Sequence, residues 1–239
     1  MIMIKYASFL LYSLVLMTGC TTLSFQRPPV FTLIVPPAFK HFEKVIKYRA
    51  GDYLVNSPPY VIKAEYPRRR FVGAWGAQRS PNWREHSWKI EVSHAPKTKI
   101  QEILTACSTA SDGYEASKKV DEDGSYMFAR FSRRDFRWGK AFSYLTQFTQ
   151  DTGIYVPHNG HLTYEVWGVT YDGRYAVHAD FDITHPKLGT WGPTVRNANS
   201  MEALKQDRDY KLVESCSSSE FLPSLEDIDA LINSIHIEN

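Results

Sequence analysis

Leu162-Thr163-Tyr164-Glu165-Val166-Trp167-Gly168-Val169-Thr170-Tyr171, then Asp172-Gly173, then Arg174-Tyr175-Ala176-Val177-His178-Ala179-Asp180-Phe181-Asp182-Ile183-Thr184, is the stretch that decides the fold. Both arms are rich in aromatic and β-branched residues, which suit a pleated surface. Asp-Gly between two such arms signals a β-hairpin with a type I′ turn, which needs positive φ at both central residues. The turn also sets the register. Leu162, Tyr164, Val166 and Gly168 then lie opposite Ile183, Phe181, Ala179 and Val177, on a face that reads as core. Thr163, Glu165, Trp167 and Val169 lie opposite Asp182, Asp180, His178 and Ala176, on the other face.

Working outward, the segments after the hairpin are a short helix over 200–206, a strand over 209–214 and a terminal amphipathic helix over 222–235. Ser224 caps that last helix, with Asp227 as its capping-box acid. Leu225, Ile228, Leu231, Ile232 and Ile235 form its apolar stripe. Before the hairpin, Trp138, Ala141, Phe142, Leu145 and Phe148 fall at helical spacing, so 138–148 reads as a helix. Residues 126–131 read as a strand, 108–124 as an exposed acidic loop, and 98–107 as a helix with Ile100, Ile103, Leu104 and Cys107 on one face. Further upstream, strands are expected over 30–35, 60–65, 71–75 and 88–92, and a helix over 38–48. No Pro/Gly/Ser linker divides residues 28–239. The expected fold class is therefore α+β: a single domain with a mainly antiparallel sheet and flanking helices.

The N-terminus has a different character. Lys5 is the only charge before Arg27, and Tyr6 to Met17 is a short apolar run. A cationic start, an apolar stretch and a small-residue site make up a secretory signal, here residues 1–19. The run is shorter than the ~20 residues of a membrane span. Leu16-Met17-Thr18-Gly19-Cys20 resembles the bacterial lipoprotein lipobox, with Met17 where Leu is usual. The resemblance implies that Cys20 carries the lipid, that the signal is cut before it, and that residues 20–27 are a lipidated tether. Thr21 follows the cysteine, which by the Gram-negative sorting pattern implies the outer membrane, facing the periplasm. Two or three acyl chains anchor stably where one is reversible.

The chain has three cysteines. With Cys20 assigned to lipid, Cys107 and Cys216 are left to bridge in an oxidising envelope or to stay as two buried thiols. A bridge closing a loop of roughly 100 residues would stabilise by up to ~4.7 kcal/mol in the chain-entropy model. The balance of 28 Lys+Arg against 26 Asp+Glu is too even for a nucleic-acid binder. The hydrophobic content of 43% excludes a disordered chain.

Candidate chemistry gathers on the hairpin. Glu165 faces Asp180, with His178 beside them. Opposed carboxylates repel and raise one pKa, so the three are metal-ligand or acid–base candidates, or else solvated charges paired with nearby Lys or Arg. His158, His161 and His185 flank the same hairpin, either as exposed loop histidines or as a zinc set with no second spacing constraint. Arg68, Arg69, Arg70, Arg130, Arg133, Arg134, Arg137 and Lys140 form basic groups able to touch anionic headgroups or acidic envelope polymers, or else solvated charges balanced by the acidic 112–123 stretch. Trp75, Trp83, Trp88 and Trp138 are candidates for lining a sugar or peptide groove, or else core material, as most aromatics are. No G-x-S-x-G elbow, P-loop or G-x-G-x-x-G is present.

A Pro-Pro-terminated strand, a central hairpin around Tyr171-Asp172-Gly173-Arg174 and a helix ending Ile232-Asn233-Ser234-Ile235 resemble the PsbP/Mog1 type of α/β/α sandwich. That resemblance implies an accessory or binding module and transfers no site residues. The functional expectation is a lipid-anchored envelope module that takes an envelope protein or cell-wall polymer as partner and needs no cofactor. The alternatives are an anchored hydrolase or metal-dependent enzyme using 158–185, and a periplasmic immunity or inhibitor protein.

Overall fold

The computed structural model describes residues 30–32, 61–65, 88–120, 125–148, 154–189 and 197–238. In chain order the elements are β1 (Val30–Thr32), β2 (Val61–Glu65), β3 (Trp88–His94), α1 (Lys97–Thr109), α2 (Gly113–Val120), β4 (Ser125–Phe136), β5 (Gly139–Phe148), β6 (Ile154–Tyr155), β7 (Leu162–Thr170), β8 (Tyr175–Asp182), β9 (Asn197–Ala198), α3 (Met201–Gln206), α4 (Arg208–Ser215), a 3₁₀ turn (Ser218–Glu220), α5 (Leu225–Asn233) and β10 (His236–Glu238). Six strands form one sheet in the order β2-β3-β8-β7-β5-β4. Every ladder in it is antiparallel. The pairs β1·β10 and β6·β9 stand apart as two-stranded sheets. The class is α+β, an open antiparallel sheet with flanking helices.

The β7–β8 register is the one the sequence expects, with Glu165 opposite Asp180 and Trp167 opposite His178. The turn is different. Gly173 N donates to Thr170 O at 2.8 Å, closing a turn over Thr170–Gly173, and Gly173 carries the loop's positive φ of 67°. The Asp172 carboxylate accepts from the Thr170 hydroxyl and the Arg174 backbone, an Asx-type brace. A four-residue loop with one left-handed glycine holds the register without the double positive φ of a type I′ turn.

Helices cover both faces of the sheet. On one face α1 and α2 pack on Phe128, Phe142, Tyr144, Val169 and Ala176. On the other, Leu204, Tyr210, Val213, Ile228, Leu231 and Ile232, from α3, α4 and α5, pack on Val92, Leu145, Val166, Val177 and Phe181. Strands buried on both faces lose the alternation that marks a half-exposed strand.

The structure corrects three local expectations. The helix expected over 138–148 is instead a turn residue, Trp138, followed by β5, because residues 141–147 are buried on both faces and their helical spacing is coincidental. Phe142 and Tyr144 point to the α1 side, Leu145 to the other. Residues 209–214 lie in α4 instead of a strand. The Asp207 side chain caps its first turn by accepting from Asp209 N, and Tyr210 and Val213 share the buried face. The expected 108–124 loop contains α2, whose Gly113, Ala116, Ser117 and Val120 bury a narrow face of small residues. The terminal helix runs as expected from Ser224, whose hydroxyl accepts from Asp227 N and bonds the Asp227 carboxylate at 2.7 Å.

The leader and Cys20, residues 33–35, the expected helix over 38–48, the expected strand over 71–75, Arg68, Arg69, Arg70, Trp75 and Trp83 lie outside the described residues. No described helix is long and apolar enough to cross a membrane.

Candidate functional site

The hairpin face carrying Glu165 continues across neighbouring strands. Tyr144 on β5 pairs with Glu165 on β7, which pairs with Asp180 on β8, which pairs with Lys89 on β3. The row beside it runs Phe142, Trp167, His178, Glu91. Antiparallel pairing thus lays a strip of polar side chains beside the patch covered by α1.

Within that strip the expected metal trio separates. The Glu165 carboxylate accepts from the Tyr144 hydroxyl at 3.0 Å and the Trp167 indole at 3.3 Å, and lies 3.9 Å from His178 Nε2. His178 stacks on Trp167 with ring centroids 3.9 Å apart. Asp180 lies 3.7 Å from the Lys89 ammonium, which also holds Glu91 at 3.0 Å. Opposed carboxylates are thus relieved by a cation on the next strand. Burial pushes the Glu165 carboxyl up, but His178, Tyr144 and Trp167 outweigh it and hold the group below the usual glutamate range. Burial lowers Lys89, yet Asp180 and Glu91 more than compensate, and the ammonium is raised. Glu165, His178 and Asp180 do not bring ligand atoms to one point.

The three histidines do not form one site either. His158 and His161 lie with ring centroids 5.6 Å apart, and burial lowers the His158 pKa despite a contact to Val156 O. The intervening Asn159 instead clamps the backbone of His185. Its Oδ1 accepts from His185 N at 2.8 Å, and its Nδ2 donates to His185 O and Leu188 O. The His185 ring is directed elsewhere, toward Cys216 and Glu220. Among the described residues these three alone form a group of at least three potential metal-ligand side chains, their ligand atoms all within 4.8 Å of one another. Cys216 and Glu220 lie more than thirty residues downstream of His185, and no spacing motif marks them.

The basic residues of β4 disperse because strand residues alternate faces. Arg133 donates to Cys107 O and Ala110 O, covering the C-terminal carbonyls of α1 where a cation is favoured. Arg134 crosses to the other face, bonding the Ser143 hydroxyl and pairing with Asp229 at 3.1 Å. Arg130 sits in a bulge with φ of 53°, its guanidinium bonded to Cys216 O and Ser218 Oγ. Arg137 and Lys140 are exposed.

Cys107 and Cys216 are free thiols. Cys107 belongs to the cluster under α1, whereas Cys216 packs against the cluster on the opposite face. The sheet separates them, so the bridge allowed by the cysteine count does not form. Burial pushes the Cys107 thiol up to about 11, and Cys216 is raised for the same reason.

The hairpin turn borders an open cleft of roughly 700 Å³. Arg137, Trp138, Tyr171, Asp172, Asn233 and His236 help to line it. Tyr171 is 63% exposed at its edge. Trp138 is fixed in its wall by an indole bond to Ile232 O at 2.9 Å. The mixture of aromatic and charged groups suits a polar ligand with a flat or apolar part. No protein-family model matches the chain, and no curated protein or solved structure matches it.

Proposed function

We propose that this protein is a lipid-anchored module of the bacterial envelope that binds a protein or polymer partner at the hairpin-end cleft. The observation that carries the reading is Leu16-Met17-Thr18-Gly19-Cys20 directly after a cationic and apolar leader. β10 lines the cleft through His236 and Ile237 and pairs with β1. Cys20 precedes Val30 at the start of β1 by ten residues, a contour of at most about 35 Å. A partner held in the cleft would therefore sit close to the bilayer. Helices on both sides of the sheet are also what the PsbP/Mog1 resemblance implies. Glu165, Lys89, Arg134 and Asp172 are all shifted toward staying charged, which suits polar recognition.

Labelled palmitate fed to cells expressing the full chain tests the anchor. Incorporation is expected, together with its loss in Cys20→Ser. Label that persists in Cys20→Ser, or never appears, removes the anchor from the proposal. A photoreactive residue replacing Tyr171 tests the cleft. A discrete adduct is expected there, with none from the same residue at Glu202 on α3; equal labelling from both positions counts against the cleft.

A further inference from the structure

His185, Cys216 and Glu220 arrive from three segments: the chain after β8, the C-cap of α4 and the last residue of the 3₁₀ turn. One nitrogen, one sulfur and one carboxylate oxygen lie mutually within 4.8 Å. The His185 side chain has no exposed surface, and its Nε2 has no hydrogen-bond partner. That nitrogen faces a Glu220 oxygen at 3.7 Å, too far for a hydrogen bond. A buried polar atom left without a partner is costly and calls for an explanation, a bound ion among them.

We propose that His185 Nε2, Cys216 Sγ and Glu220 Oε2 form a binding site for Zn²⁺ or a similar borderline divalent cation. Imidazole nitrogen, thiolate sulfur and carboxylate oxygen are the donors zinc takes. With bonds of about 2.0–2.3 Å, tetrahedral ligand atoms stand roughly 3.3–3.8 Å apart, so the site closes by a small contraction. Three protein ligands leave a fourth position for water or a substrate atom.

The surroundings hold the ligands in place. Asn159 fixes the His185 backbone from both sides. Thr184 and Leu222 exchange backbone bonds at 3.0 and 2.8 Å, tying the segment after Glu220 to the segment before His185. Arg130, in its left-handed bulge, anchors Cys216 O. A strained non-glycine residue held in this way is a mark of positions the structure over-determines.

Binding exchanges protons and partners in a defined way. The Cys216 thiol gives its proton to solvent, and its sulfur pair bonds the metal. Thiolate and Glu220 carboxylate then balance the dication. Lys187 Nζ, now 3.1 Å from Glu220 Oε2, withdraws to water from its exposed position. His185 Nδ1 accepts from Lys187 N at 3.2 Å, which leaves the ring proton on Nε2. Ligation moves that proton to Nδ1 and releases the Lys187 N–H to solvent.

The test uses the full chain in detergent with a non-thiol reductant, stripped by chelator and titrated with Co²⁺. One equivalent should produce a thiolate-to-cobalt charge-transfer band that Zn²⁺ abolishes. Cys216→Ser should remove the band. His185→Gln and Glu220→Gln should each weaken Zn²⁺ by more than the roughly 10–100-fold that loss of an outer-shell partner costs. Glu165→Gln, on the sheet strip, should leave the titration unchanged. No band in the parent protein, or one that survives Cys216→Ser, overturns the proposal. The parent spectrum reports sulfur ligation even if a variant fails to fold.

Discussion

Glu165 is held in its ionised form by neighbours rather than by bulk water. Its side chain is 13% exposed, and a lone carboxylate so placed would rise in pKa. Tyr144, Trp167 and His178 reverse the sign. The linkage follows from that direction. A carboxyl depressed below its ordinary value of 4.5 stabilises the fold above that pH. The contribution is lost as the pH falls from there through the lower folded value. Glu165→Gln keeps an acceptor for Tyr144 and Trp167 but loses the charge. It should cost about 1–2 kcal/mol at neutral pH. In chemical denaturation, the gap to the parent should shrink as the pH drops through 4.5. A gap that stays constant into strong acid would show that the charge contributes nothing. The opposition of Glu165 and Asp180 was legible from the Asp172-Gly173 turn alone. Its resolution was not, because Lys89 is 91 residues before Asp180 in the chain and reaches it only when β3 pairs with β8.

At the scale of the element, legibility tracked whether one face met water. α5 was readable because its stripe of Leu225, Ile228, Leu231 and Ile232 contrasts with an acidic outer face and begins at a serine cap. β5 was not, because pairing with β4 and β7 and cover on both faces erase the period of two. α4 was missed for the reverse reason: eight residues with two buried side chains give too few repeats to set a helical period apart from a strand's. Caps are stronger signals than periodicity in such short helices. At α5 the cap is measurable. Ser224→Ala removes the acceptor for Asp227 N and should lower stability by about 1 kcal/mol, whereas Ser224→Asp should retain most of it. Thermal melts of the two variants decide the point; equal losses would mean that packing, and not the cap, sets the start of α5.

At the scale of the molecule, the central sheet decides which distant residues can meet. It brings His185 to Cys216 and Glu220, three residues that no motif connects. It also keeps Cys107 from Cys216. Packed layers stand about 10 Å apart, so helices on opposite faces of a sheet lie of order 20 Å from each other. A disulfide tolerates at most about 7 Å between Cα atoms. Counting cysteines could pair these two; only the assignment of α1 and α4 to different faces separates them. The full chain carrying Cys20→Ser should therefore present two reactive thiols when unfolded without reductant but with chelator. Reduction should leave both that count and the electrophoretic mobility unchanged. In the folded protein Cys107 should react slowly, because burial keeps its thiol protonated with a pKa near 11. Thiols that appear only after reduction would place both cysteines on one side of the sheet. They would also remove Cys216 from the metal site, since a sulfur committed to a disulfide has no thiolate to offer.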